Sequence, residues 1–127
     1  MKKQTAAWVR KAEADHARAV NLPRVLPRDH DAVCFSCQQC AEKYLKALLQ
    51  ELGLGIPRTH VLRDLVTLLE PHHPPVRSLR RGAKFLTRFA VGIRYPGDDA
   101  TKRQAAAAVR WSGRVRTTAR TLLGLPA

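Results

Sequence analysis

Arg94, Tyr95, Pro96 and Gly97 follow one another in the second half of this chain. The Pro–Gly pair stops a helix, so the guanidinium and the phenol are expected at a helix end. An arginine there can grip a phosphate through two parallel N–H donors. Just beyond, Thr101 and Gln104 have capping-box spacing. The helix they open offers free N–H groups to an anion, with Lys102 and Arg103 in its first turn. A cation near a helix C-terminus is favourable even without a ligand, and Tyr95 can simply pack. The residues themselves leave both readings open.

A second polar set lies at Gln38, Gln39, Glu42, Lys43 and Lys46. Glu42 and Lys46 form an i,i+4 pair in the favourable order, worth about 0.3–0.5 kcal/mol on an exposed face. The functional alternative is a cleft wall in which Gln38 and Lys43 meet a phosphate or a base. Cys34, Cys37 and Cys40 repeat at intervals of three. An iron–sulfur site needs a fourth thiolate, and a structural zinc site needs better-placed partners than His30. Packing of small thiols against a neighbouring helix is the expectation. No HExxH, phosphate-binding loop or GxSxG pattern occurs, and Asp98–Asp99 form the one close acidic pair of the C-terminal half. Neither a metal nor a cofactor is expected.

Net charge is +13, unevenly spread. Residues 1–70 hold 11 basic and 8 acidic side chains, whereas residues 71–127 hold 12 basic and 2 acidic. Such a field attracts phosphate backbones. The alternative is an Arg-rich solvated surface, with 16 Arg against 7 Lys. No apolar run has the length of a membrane span, and Arg10 and Lys11 interrupt any leader-like stretch. A cytoplasmic protein without membrane contact is expected.

The elements that must position these groups are helices. Apolar spacings of three and four predict one over Thr5–Leu22, stopped by Pro23, and a second over Asp29–Leu52, stopped by Gly53. A third is predicted over Val61–Glu70, with His60 as its cap or preceding turn. The prolines of 71–75 then exclude helix. A fourth is predicted over Val76–Ile93, and a fifth over Thr101–Leu123. Trp111, on the fifth, is either core or a stacking platform. This pattern specifies one all-α domain over residues 1–127, a five-helix up-and-down antiparallel bundle. Helices two and five, roughly 35 Å long at 1.5 Å per residue, are long for the chain and suggest a homodimer.

The segment from Gln38 to Leu69 resembles the central helix, turn and third helix of the HEPN domain family. The resemblance is carried by Gln38, Gln39, Glu42, Lys43, Lys46, Ala47, His60 and Leu62, with the Arg94–Gly97 turn and the Ala-rich helix after it. It implies a dimeric helical bundle that binds nucleotide or RNA, with Arg94, Tyr95, Gln38, Lys43, Lys46, Lys102 and Arg103 as site candidates. In ribonuclease branches, an Arg and a His separated by four to six residues cleave RNA across a dimer cleft, the His transferring protons. Arg94 matches that Arg, but the eligible positions hold Asp99, Ala100 and Thr101. Arg10 with His16 and Arg24 with His30 have the spacing but lie in the first third of the chain.

The resemblance therefore implies one of three roles. The first is a nucleotide- or RNA-binding partner of a minimal nucleotidyltransferase in a toxin–antitoxin-like pair. The second is a metal-independent ribonuclease toxin using Arg94, with proton transfer by Tyr95, His60 or the partner subunit. The third is a non-catalytic dimerisation module.

Overall fold

The computed structural model describes residues 1–92 and 95–127. Among these are five α-helices and one 3-10 turn, with no strand: α1 Lys3–Val25, α2 His30–Glu51, α3 Leu62–Leu69, the 3-10 turn Pro74–Leu79, α4 Arg80–Thr87 and α5 Lys102–Leu122. The ends follow from local chemistry. Asp29 caps α2 by accepting the Ala32 N–H at 3.1 Å. Gly53, at φ +74°, ends it in a conformation costly for other residues. Thr101 and Gln104 form the predicted capping box, with Gln104 N–H to Thr101 Oγ1 at 3.0 Å and Thr101 N–H to Gln104 Oε1 at 2.9 Å.

Two helices differ from expectation by more than one residue at their ends. Helix α1 runs through Pro23 to Val25. Pro23 lies in the last turn, where it removes one donor, and the Leu26 N–H still bonds Leu22 at 2.7 Å. The fourth helix begins as a 3-10 turn at Pro74–Pro75, inside the segment expected to exclude helix, and its α portion ends at Thr87 rather than at Ile93. Past Thr87 the chain closes three-residue turns, Phe89 N–H to Leu86 and Ala90 N–H to Thr87. These keep the apolar spacing of an α-helix without its hydrogen bonds, so periodicity does not tell them apart.

Helix α2 is the axis of the bundle, with α1, α3, α4 and α5 all packed on it. Its predicted stripe of Cys34, Cys37, Ala41, Tyr44, Leu45 and Leu48 is buried against Leu62, Leu65, Leu69, Leu79 and Leu86 from α3 to α4 and Ala108 and Val115 from α5. Each fully buried Leu or Val contributes about 1.5–3 kcal/mol by leaving water. The three cysteines are buried and form no disulfide, as packing required. Helix α4 meets α5 where Gly82 faces Trp111: a Cβ at Gly82 would stand 2.2 Å from the indole. Among the described residues no helix is long and apolar enough to cross a membrane.

Candidate functional site

Part of the polar side of α2 is buried as well. Gln38, Glu42 and Lys46 recur every fourth residue and so share one face; all three are buried, Gln38 completely. They are mutually satisfied. Gln39 Nε2 donates to Gln38 Oε1 at 2.7 Å, and Gln38 Nε2 donates to Glu42 Oε1 at 3.0 Å and reaches the His60 carbonyl at 3.4 Å. Lys46 Nζ donates to Glu42 Oε2 at 3.0 Å and lies 5.9 Å from the Trp8 ring of α1. Burial opposes the Glu42 charge, but the hydrogen bonds from His60, Lys46 and Gln38 outweigh it and hold the carboxyl below its usual range. Among the described residues no buried side-chain nitrogen or oxygen lacks a partner.

His60 does not cap α3. Its Nδ1 bonds Glu42 Oε1 at 2.9 Å, while the side chain stays 66% exposed. An imidazole held by a buried carboxylate through one nitrogen keeps the other for solvent or a ligand. The N-terminus of α3 is tied down differently, by Thr59 Oγ1 accepting the Val61 N–H and Thr87 Oγ1 accepting the Leu62 N–H.

The connection from α4 to α5 lies along the N-terminal half of α2. Gly92 rests on the Phe35 ring, where a Cβ would stand 3.4 Å from ring carbons. At the far end the Ala100 N–H donates to Asp31 Oδ1 at 2.7 Å. Between them the Tyr95 carbonyl accepts the Asp98 N–H at 3.0 Å, with Pro96 and Gly97 (φ +90°) inside the turn, an arrangement suited to type II geometry. Tyr95 is 80% exposed. Arg94 and Ile93 lie outside the described residues. Phe35, Gln38, Gln39 and Glu42 form one face of α2, so Gly92 covers one end of the face whose other end holds His60.

Tyr95, Lys102 and Arg103 are all exposed, in the stretch that joins this connection to the first turn of α5. The capping box takes up the Gln104 and Thr101 N–H groups, which reduces what that helix end can offer an anion. Lys43 and Lys46 stand elsewhere, on the α1 side of α2. Lys43 Nζ binds Asp15 Oδ2 at 2.6 Å, and Asp15 also holds Arg18. Gln38 lies beneath the surface, linked to the site through Gln39 and His60.

The basic run of α5 is not one face. Arg116 grips both oxygens of Glu13 on α1, at 2.7 and 2.9 Å, and Arg120 donates to the Tyr44 hydroxyl at 3.1 Å. Tyr44 in turn donates to Glu13. The Arg116 hydrogen bonds, helped by Tyr44, outweigh burial and hold Glu13 at about 2. Burial, with the Glu13 contact, pushes Tyr44 up to about 12. His16 lies beside this cluster, and burial, with Arg116 next, lowers its pKa. Lys102, Arg103, Arg110 and Arg114 point outward. The inward role of Arg116 and Arg120 carried no signal in their own spacing; an acid on α1 and a buried Tyr on α2 create it.

The two other Arg–His spacings do not form a pair on one helix face. Arg10 and His16 point some 120° apart on α1 at 100° per residue, and Arg24 and His30 belong to different helices. Burial pushes the Cys37 and Cys40 thiols up to about 12, so they stay protonated. Among the described residues no three His, Cys, Asp or Glu side chains converge to hold a metal.

The fold is that of known structures. The protein TT1696 from Thermus thermophilus superposes with a TM-score of 0.81 at 21% identity, over 94% of this chain and 98% of that one. ST0689, an archaeal HEPN homologue, gives 0.77 at 27% identity, over 97% and 99%. No curated protein matches the chain. The HEPN domain model matches residues 5–122. The chain therefore belongs to the HEPN domain family.

Proposed function

We propose that this domain binds a nucleotide or RNA through the Arg94–Arg103 stretch without cleaving it, and that it acts beside a minimal nucleotidyltransferase in a toxin–antitoxin-like pair. The carrying observation is what occupies the places of the family's proton-transfer histidine. Ala100 is buried with its N–H on Asp31, and Thr101 is locked in the capping box. The remaining position holds Asp99, a carboxyl group in place of the imidazole. Around them the exposed Tyr95, Lys102 and Arg103 are suited to stacking and phosphate contact. The nucleotidyltransferase partner is what the HEPN resemblance implies. A homodimer is in keeping with a groove whose apolar lining includes the exposed Pro23, Leu26, Pro27 and Val109, with Asp29, His30 and Lys102 beside them.

A ribonuclease is the second reading, and His60 is the observation that favours it. A solvent-facing imidazole fixed by a buried carboxylate is built to accept a proton, here from an RNA 2′-hydroxyl. Co-expression with a candidate minimal nucleotidyltransferase, followed by size-exclusion chromatography, tests the first reading. It expects a stable complex; two separate species, together with RNA cleavage lost in His60→Ala, would replace it with the second.

A further inference from the structure

We infer that the ligand is a phosphodiester strand rather than a single nucleotide, and that it runs from Arg103 in the first turn of α5 along the outer face of that helix into a groove beside the 3-10 turn. This rests on the nucleic-acid-binding reading and names the ligand class within it.

Arg103, Arg110, Arg114 and Thr117 fall within an arc of about 60° on α5 at 100° per residue. Arg103 to Arg114 spans roughly 16 Å of helix at 1.5 Å per residue, more than the phosphates of one nucleotide can bridge. The stripe ends in a groove of about 520 Å³ lined by Ser78, Arg110, Gly113, Arg114, Thr117 and Thr118. Its lining is two guanidiniums and three hydroxyls without a carboxylate, the donor set that phosphate oxygens take. Nothing stands within 4 Å of where a Gly113 Cβ would be, so the helix backbone is open to the groove there.

Among the described residues, some of the chain's arginines are ion-paired and others, such as Arg10, Arg58 and Arg63, are not. Arg18 pairs with Asp15, Arg77 and Arg80 with Glu70, and Arg116 with Glu13. Arg110 and Arg114, one turn apart and mutually repelling, pair with no acid among the described residues, and the sequence has no acid from Ala100 to Ala127. Arg114 lies 4.8 Å from the Trp111 ring, which is itself lodged against Gly82, so the guanidinium has a fixed support. A membrane surface suits this face poorly. The apolar residues Ala105, Ala108, Val115 and Ala119 are turned into the bundle, and Val109 is the large apolar residue that α5 exposes.

The test is fluorescence anisotropy on the full chain with a labelled single-stranded RNA dodecamer, a DNA dodecamer of the same sequence, unlabelled AMP as competitor, and anionic phospholipid vesicles. The fall in affinity between about 50 and 200 mM salt should be about sevenfold smaller in Arg110→Gln/Arg114→Gln than in the wild type, the share of two phosphate contacts. That variant should bind roughly 20-fold more weakly at about 0.1 M salt. The exposed pair Lys3→Gln/Arg10→Gln removes equal charge from α1 and should bind as the wild type does. Binding of both dodecamers, with no displacement by millimolar AMP, supports the strand. Equal loss in both double variants, displacement by AMP, or preference for vesicles overturns it. Binding lost in Arg94→Ala but intact in Arg110→Gln/Arg114→Gln overturns the groove while leaving the site reading in place. No binding to any nucleic acid removes both.

Discussion

Exchanging Glu42 for glutamine changes little volume but removes the charge at the centre of the α2 network. In the native protein this carboxylate accepts hydrogen bonds from Gln38, Lys46 and His60. The Lys46 side chain is 9% exposed, so it cannot turn to water when its partner goes. Breaking a buried pair by removing one member costs about 3–5 kcal/mol, because the other charge is left uncompensated. The Trp8 ring 5.9 Å from Lys46 and the exposure of His60 soften this, which places the expected loss near about 3 kcal/mol. For a chain of this size that is a fall in Tm of about 10 °C. Adding Lys46→Met should recover most of it, since it removes the buried charge that Glu42→Gln leaves uncompensated.

The pH dependence has a definite sign. Glu42 is held below its usual pKa, so its contribution is complete above the unfolded-chain value of about 4.3 and is lost as pH falls further. The gap between wild type and Glu42→Gln should therefore close on acidification. Urea unfolding followed by circular dichroism reads both effects. A destabilisation under about 0.5 kcal/mol at neutral pH, or no recovery in the double variant, would refute the view that this network holds the α2–α3 junction.

Three other outcomes are expected. Glu13, held at about 2, contributes stability that is present above about pH 4.3 and declines towards pH 2, so Glu13→Gln should flatten the acid limb of a urea-midpoint profile. Cys37 and Cys40 should resist a thiol reagent at about pH 8 in the folded protein and react readily in denaturant; prompt native labelling would mean the α2–α5 seam is open. Gly82→Ala should destabilise by about 1–2 kcal/mol despite its better helix propensity, because its Cβ meets the Trp111 ring, and pairing it with Trp111→Leu should restore stability.

The apolar stripe of α2, the stop at Gly53 and the capping box at Thr101 were legible because each is a local pattern with one physical solution. The opposite side of α2 was not. Gln38, Glu42 and Lys46 have the spacing of an exposed polar face, and only their enclosure by α1 and the residues before α3 makes them interior. The α5 arginines pose the same difficulty: Arg114 and Arg116 look alike in sequence, yet one faces solvent and the other meets an acid 103 residues away. His60 read as a cap or a turn residue because it precedes a helix; it lies in the stretch before α3, and its side chain's partner is on α2. Sequence periodicity reports which residues share a face of their own helix. What covers that face depends on contacts distant in sequence.

The most direct test of the account is incubation of the purified protein with mixed cellular RNA beside its Arg94→Ala variant, scoring cleavage and retention together. The account predicts intact RNA in both reactions, retained by the wild type in a salt-sensitive way and released by the variant. RNA degraded by the wild type and spared by Arg94→Ala would contradict it and identify the domain as a ribonuclease.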